Sequence, residues 1–346
     1  MYLSRTQAEL KPVLASRKGI GTIPAKQAFP LHTLASDNGY GIFADGLLSI
    51  VFRVPEEAVW APSSLVETLP LGSGVQVYRH YLGNGEVTTY LAVSSPIPYV
   101  YRFSILKGLL SLFQPGFVKR ETAKMEEATT AACDAILKAV ASAFVVEEAL
   151  PLEGFEPLLT LLGLERGTRP ERRGPATYNM GYLALSGGKV ALLADCQALP
   201  SLPKITVPLP PLGHEALYVT TLRVPLETEQ SRLSENYHAD LAFHREVLGA
   251  GGAKSAQTLG RAHGSPKRFT VLRSYYLLMD TQATRLRDTA EQMFRAFRAS
   301  GFPAHASHLA TKDQFCHLFP GNVNMLPDGL TAPITVLGTV LERLLP

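Results

Sequence analysis

The last third of this chain alternates strand patterns with helix patterns, and this alternation constrains the fold more than any other feature. Residues 217–224 and 269–279 are rich in β-branched and aromatic side chains, which is typical of strands. Helical patterns follow each of them, at residues 231–248 and from Thr281 to Ala299, and a further strand is expected at 302–309. The order β-α-β-α-β predicts a second half of ferredoxin-like type.

The first half is predicted to contain strands around one long helix. Residues 118–144 are rich in Ala, Glu and Lys, which favour a helix. Asn84-Gly85 predicts a tight hairpin turn, because both residue types tolerate a positive φ. The strand patterns cover residues 48–54, 75–81, 88–93, 181–185 and 190–194. We therefore expect an α+β fold with mixed or antiparallel sheets and helices packed on one face.

A proline-rich connector is the best internal boundary in the sequence. Residues 200–211 contain five prolines, and proline cannot donate a hydrogen bond to a strand ladder. The first 30 residues carry five Lys or Arg against one Glu and have little periodicity. The predicted division is a polar arm at 1–30, a first α+β subdomain at 31–199, the connector at 200–213 and a second α+β subdomain at 214–346.

Composition excludes several classes of protein. With 46% hydrophobic and 18% charged residues the chain is globular, and a net charge of +3 does not by itself predict a nucleic-acid partner. The cysteines Cys133, Cys196 and Cys316 lie far apart, so we expect buried thiols in a reducing compartment. The most apolar segment, 103–113, contains Lys107 and is about half the length that a bilayer requires. The chain is predicted to be soluble, with peripheral membrane contact as the less favoured alternative.

The sequence contains no phosphate-binding loop. The nearest approach is residues 249–255, where Ala253 precedes Lys254 and Leu248 occupies the place of the first glycine. We therefore predict no ATP hydrolysis and no cofactor for this chain by itself.

Catalytic and metal-binding residues are not predicted either. The tightest group of metal-ligand types is His305, His308, Cys316 and His317, but His305 and His308 have an odd spacing that places them on opposite sides of a strand. No Gly-x-Ser-x-Gly elbow occurs in the sequence.

Two basic loops offer an alternative function. Residues 254–273 and 166–173 are cationic and interrupted by glycine or proline, and such loops can contact phosphate backbones. Solvated connecting loops are the simpler interpretation, because the whole chain is nearly neutral. The candidate contact residues are Lys254, Arg261, Lys267 and Arg268 in the first loop, and Arg166, Arg169, Arg172 and Arg173 in the second.

The chain resembles the N-terminal domain of conjugative transfer ATPases, the TraC/VirB-type motors of type IV secretion. The early part of the resemblance is Gly41-Ile-Phe-Ala-Asp-Gly-Leu-Leu-Ser-Ile-Val-Phe52. The late and more specific part is the strand at 273–279, the helix after it, Gly301, and Gln314-Phe-x-x-Leu-Phe-Pro-Gly-Asn322. Phe319 stands where the family usually has Leu. The segment Ala332-Pro-Ile-Thr335 is similar to the one that precedes the family's motor domain.

The Phe319-Pro320-Gly321-Asn322 motif has a structural interpretation. Proline fixes its own φ, while glycine and asparagine tolerate a positive φ, so the motif predicts a tight turn and not a catalytic site.

The resemblance implies a docking and oligomerisation module at the cytoplasmic face of the inner membrane. Its partners would be other type IV secretion components and further copies of itself, in the service of conjugative DNA transfer. ATP and Mg²⁺ are expected only for a motor domain, which is not found before Pro346. A fragment, a truncated product and a stand-alone paralog all remain open.

Overall fold

The structure is a computed structural model of the chain. It describes residues 21–35, 39–99, 116–145, 150–164, 175–179, 182–196, 209–235, 268–299, 304–306, 311–325 and 330–333. These residues form an α+β fold whose main element is an antiparallel sheet.

The described strands and helices have the following bounds. The strands are β1 Gly21–Ile23, β2 Leu31–Ala35, β3 Tyr40–Phe43, β4 Leu47–Val54, β5 Val59–Trp60, β6 Gly74–Tyr81, β7 Val87–Pro96, β8 Phe144–Val145, β9 Ala176–Asn179, β10 Tyr182–Leu185, β11 Val190–Cys196, β12 Glu215–Arg223, β13 Phe269–Asp280, β14 Ala304–Ala306 and β15 Leu330–Pro333. The helices are α1 Ala25–Ala28, α2 Pro62–Thr68, α3 Phe117–Ala143, α4 Glu156–Leu161, α5 Ala283–Ala299 and α6 Thr311–Cys316. A 3-10 turn spans Asn322–Met325, and residues 227–235 are also helical.

The strands from both predicted subdomains belong to one sheet. Within the described residues its order is β1-β9-β10-β11-β13-β12-β6-β7-β4-β3-β2, while β14 adds to β11, β15 adds to β13, and β5 and β8 form a separate pair. The second half does show the order strand, helix, strand, helix, strand, but β12 pairs directly with both β13 and β6. The connector predicted at 200–213 therefore does not separate two sheets.

The two long helices pack on the same face of the sheet. Helix α3 lies against β4 and β7, and α5 lies against β11 and β13. The small residues Ala132 and Ala139 of α3 are buried with Ile136, which lets the helix approach the sheet closely. Leu286 and Phe297 of α5 belong to the same apolar cluster. In the described ranges no helix is both long enough and apolar enough to cross a membrane.

The opposite face is covered by short elements. Helices α1 and α4 and residues 314–323 contribute to a second apolar cluster there. The arm predicted for residues 1–30 is corrected in its last third, because residues 21–28 form β1 and α1, and Ile23 and Ala28 have no exposed surface. Residues 1–20 lie outside the described part of the chain. The physical reason is that burying a few apolar side chains against a sheet face stabilises residues 21–28, although charged residues flank them.

Candidate functional site

The Phe319-Pro320-Gly321-Asn322 motif forms a tight turn. The amide of Asn322 donates to the carbonyl of Phe319 at 3.2 Å, and Gly321 has a φ of 90°. Proline at the second position and a positive φ at the third are the features of a type II turn. His317 and Leu318 lie between the end of α6 and this turn, which continues into the 3-10 turn.

The turn lies inside the protein, where loops are seldom found. All ten residues from 314 to 323 are buried. A buried loop is stable only when its backbone N–H and C=O groups find partners, since water cannot reach them. The partners of this loop therefore identify the residues that hold it.

The side chain of Gln76 in β6 is the first of these partners. Its Nε2 donates to the carbonyls of His317 and Phe319 at 3.0 and 3.2 Å. Its Oε1 accepts a hydrogen bond from the amide of Gly321 at 2.8 Å. Gln76 has no exposed surface, so one buried amide satisfies three backbone groups of the turn.

The side chain of Asn322 is the second partner. Its Nδ2 donates to the carbonyl of Cys316 at 2.7 Å, which closes the loop on itself. The same Nδ2 donates to the carbonyl of Ala28 at 2.6 Å. Asn322 thus connects the turn to α1, which lies 294 residues earlier in the chain.

The turn is packed so closely that two glycines are required beside it. A Cβ added to Gly321 would lie 2.3 Å from Cζ of Phe43, and one added to Gly74 would lie 2.5 Å from Cβ of Val323. Contacts below 3.0 Å do not occur without a shift of the neighbouring atoms. Both glycines therefore serve close approach of the backbone to a side chain.

A polar network joins the same loop to β11 and β13. Arg273 Nη2 lies 2.5 Å from Oδ2 of Asp195, and both side chains are largely buried. Gln314 Nε2 donates to the same carboxylate oxygen at 3.5 Å. The hydroxyl of Tyr275 lies 3.3 Å from Nδ1 of His317. Burial raises the pKa of the Tyr275 hydroxyl, and nearby Arg273 partly opposes that effect.

A second polar cluster lies at the opposite end of the same strands. Glu215 at the start of β12 receives a hydrogen bond from Lys189 Nζ at 2.6 Å and lies 2.9 Å from His80 Nε2. Burial raises the pKa of Glu215, but the hydrogen bonds of His80 and Lys189 outweigh it and hold the pKa below its usual value. Both carboxylate oxygens are occupied, so the cluster is a brace between strands and not an open binding site.

The carboxylate of Asp280, the last residue of β13, is also engaged by neighbouring groups on both of its oxygens. Its Oδ1 accepts a hydrogen bond from the amide of Gln282 at 2.9 Å, and its Oδ2 lies 3.5 Å from both His214 Nδ1 and Arg285 Nε. The hydroxyl of Thr289 lies 2.7 Å from His214 Nδ1 and donates to the carbonyl of Arg285. Through its bond to the amide of Gln282, Asp280 turns the chain into α5.

Of the four candidate contacts in the basic loop at 254–273, the structure describes only Arg268. Its Nη1 donates to the carbonyls of Glu67 and Leu69 at 3.0 and 3.2 Å, at the C-terminus of α2. These carbonyls have no partner within the helix, so the arginine acts as a cap. Lys254, Arg261 and Lys267 lie outside the described residues, as does the whole arginine loop at 166–173.

The cysteines and histidines do not form a reactive or metal-binding group in the described part of the chain. No set of three or more His, Cys, Asp or Glu side chains converges there on a point that suits a metal ion. Burial raises the pKa of the thiols of Cys133 and Cys196, which keeps them protonated and weakly nucleophilic. His308 and the side chain of His305 lie outside the description, whereas Cys316 and His317 are buried in the loop at 314–323.

Sequence reasoning identified the turn but missed the residue that holds it. Gln76 stands between Val75 and Val77, and such alternation indicates a strand with one solvated face. In the structure that face is covered by the loop at 314–323. A buried glutamine in a strand has no local signature, because its partners lie more than 240 residues away.

A search with protein-family models found no match to this chain, and a search of curated proteins found none either.

Proposed function

We propose that this chain is an N-terminal docking and self-association module of a TraC/VirB-type ATPase of conjugative type IV secretion. In that role it serves assembly of the transfer apparatus and conjugative DNA transfer, on a plasmid or an integrative element. The observation that carries the proposal is the order of β13, α5, Gly301 and the motif Gln314-Phe-x-x-Leu-Phe-Pro-Gly-Asn322.

The burial of this motif supports its use as a family marker. Its apolar positions Phe315, Leu318 and Phe319 have no exposed surface. Asn322 holds the backbone of the loop, and Gly321 occupies a position that only glycine fits. Because packing constrains this segment at so many positions, its residues are characteristic of this fold. The proposal goes one step further and assigns the chain to the family that has the same motif.

Binding is proposed in preference to catalysis. The sequence has no phosphate-binding loop. The carboxylates of Glu215, Asp195 and Asp280 are each engaged by neighbouring cations or amides. Under this proposal the chain works through its surface. The family resemblance implies that it does so in the cytoplasm, peripherally at the inner face of the cytoplasmic membrane.

Partner capture and self-association test this proposal directly. We expect the tagged chain to retain inner-membrane components of a conjugative apparatus from a donor strain, while the tag by itself retains none. Sedimentation velocity over a range of concentrations is expected to show reversible self-association. A chain that remains monomeric throughout and retains no component of the apparatus would refute the proposal.

The codons that follow Pro346 in the same reading frame provide an independent test. A phosphate-binding loop in that frame would identify this chain as the front part of a motor. A stop codon would favour a stand-alone module and would leave the docking experiments to decide its role.

Retention on DNA is the outcome that would replace docking by a nucleic-acid function. Because Arg268 caps α2, its reversal would disturb the fold as well as any DNA contact. A double variant with Lys254→Glu and Lys267→Glu leaves that cap in place. Salt-dependent retention that this variant abolishes would favour the nucleic-acid function.

A further inference from the structure

Helix α1 depends on other parts of the chain for its order. It has four residues, and Pro24 at its N-cap makes no side-chain capping bond. Its two backbone hydrogen bonds run from Ala28 to Pro24 and from Phe29 to Ala25. A single helical turn is not stable by itself, because the conformational entropy lost in nucleating a helix exceeds the stabilisation that one or two such hydrogen bonds provide.

The loop at 314–323 supplies much of that support. Asn322 Nδ2 donates to the carbonyl of Ala28, at the C-terminal end of α1. The ring of Phe29 lies 6.2 Å from that of Phe319 and 5.2 Å from that of Phe43. Phe43 in turn packs on Gly321. One buried hydrogen bond and a group of aromatic rings therefore connect the two segments.

We propose that residues 24–29 and 314–323 form a clasp, in which the order of each segment is conditional on the order of the other. The physical basis is reciprocity: if the turn stabilises α1 by a given free energy, α1 stabilises the turn by the same amount. An event that displaces one segment is then sensed at the other, although they lie at opposite ends of the described chain. This inference does not depend on the proposed docking function.

Hydrogen exchange of the full chain with the substitution Asn322→Ala tests the first direction. The amides of Ala28 and Phe29 are expected to exchange about tenfold faster, because α1 loses the bond that ends it. The amides of β12 and β13 are expected to stay within about twofold of the parent rates.

The substitution Phe29→Leu tests the second direction. It keeps an apolar side chain but removes the ring that faces Phe319, so a folded variant is expected. The amides of Leu318, Phe319 and Asn322 should then exchange several-fold faster, by about five- to tenfold. Thr220→Val is the matched control, because it removes a buried hydroxyl bond to Ser274 at 3.0 Å that belongs to neither segment.

The two directions decide the proposal together. Unchanged exchange of α1 in Asn322→Ala, or acceleration around Phe29 with parent rates in the turn, would overturn it. A uniform increase over all segments would do the same, because it reports global destabilisation. If Asn322→Ala does not fold, the Phe29→Leu measurement decides by itself.

Discussion

At the scale of single residues, Gly321 shows how two separate requirements fall on one position. Its φ of 90° lies in a region that L-residues seldom adopt, and its Cα faces the ring of Phe43. Either requirement would favour glycine. Together they explain why the Phe319-Pro320-Gly321-Asn322 motif has a fixed place in the fold.

The substitution Gly321→Ala should therefore be more harmful than alanine at another positive φ. We expect a loss of about 3 kcal/mol in the free energy of unfolding, from backbone strain and the clash with Phe43. Gly188→Ala is the control, because Gly188 has a φ of 81° with no atom within 4 Å of the added Cβ. It should lose about 1–2 kcal/mol in urea denaturation. Equal losses would show that the close approach to Phe43 has no energetic weight.

Gln76 provides the second prediction at this scale. Gln76→Leu keeps the volume but removes three hydrogen bonds, and it leaves buried backbone groups without partners. We expect a loss of about 3 kcal/mol. Gln230 is a matched control, since its amide also bonds three backbone groups, of Pro225 and Phe269, in a half-buried position. Because water can replace those bonds, Gln230→Leu should lose about 1 kcal/mol, and an equal loss would contradict the role of burial.

At the scale of elements, local sequence patterns predicted the features that depend on local sequence, namely where a helix or a strand begins and ends. Helix α5 ends at Ala299 and β13 begins at Phe269, as their periodicity indicates. The neighbours of a strand depend on contacts between distant segments, so the place of β12 between β6 and β13 was not predictable from one sequence. The contacts of Gln76 also depend on a distant segment. The sequence shows a glutamine within a strand pattern, but it does not predict the loop that covers it.

The start of β12 carries the pH-dependent prediction. Glu215 connects β12 to His80 at the end of β6 and to Lys189 at the start of β11, and its pKa in the folded chain is lowered. A carboxylate whose pKa is lowered by folding stabilises the folded chain fully at a pH above its pKa in the unfolded chain, which is about 4.3. That stabilisation is lost as the pH falls through the lower pKa of the folded chain.

The stability difference between the parent and Glu215→Gln should therefore be complete near neutral pH and fade as the pH falls below about 4. Urea midpoints measured from about pH 7 to about pH 3 provide the comparison. Glu86→Gln at an exposed position is the control and should show little difference at any pH. A difference for Glu215→Gln that persists at the lowest pH would exclude the ionised carboxylate as its source.

At the scale of the whole molecule, the sheet does not divide where the sequence suggests a boundary. From one side to the other it passes from β11 to β13 and β12, and then back to β6. Strands on both sides of residues 200–213 therefore complete each other's ladders. In each half, some strands pair with strands of the other half.

Cutting the chain in the connector should consequently leave a single particle. We expect that a specific protease site inserted within residues 200–208 can be cleaved without separating the two fragments in size-exclusion chromatography. Unfolding followed by the fluorescence of Trp60, the single tryptophan of the sequence, should coincide with unfolding followed by circular dichroism. Fragments that elute separately, or two distinct transitions, would instead support independent subdomains.

The same interleaved sheet has a consequence during synthesis on the ribosome. The first half of the chain emerges with β6 and β11, but each waits for a neighbour that is encoded later. The edge of β6 stays unpaired until β12, which ends at Arg223, has left the exit tunnel, and the edge of β11 stays unpaired until β13, which ends at Asp280, has done so. The nascent chain is thus exposed to edge-to-edge aggregation during these intervals, and chaperones that shield unpaired strands should determine its yield.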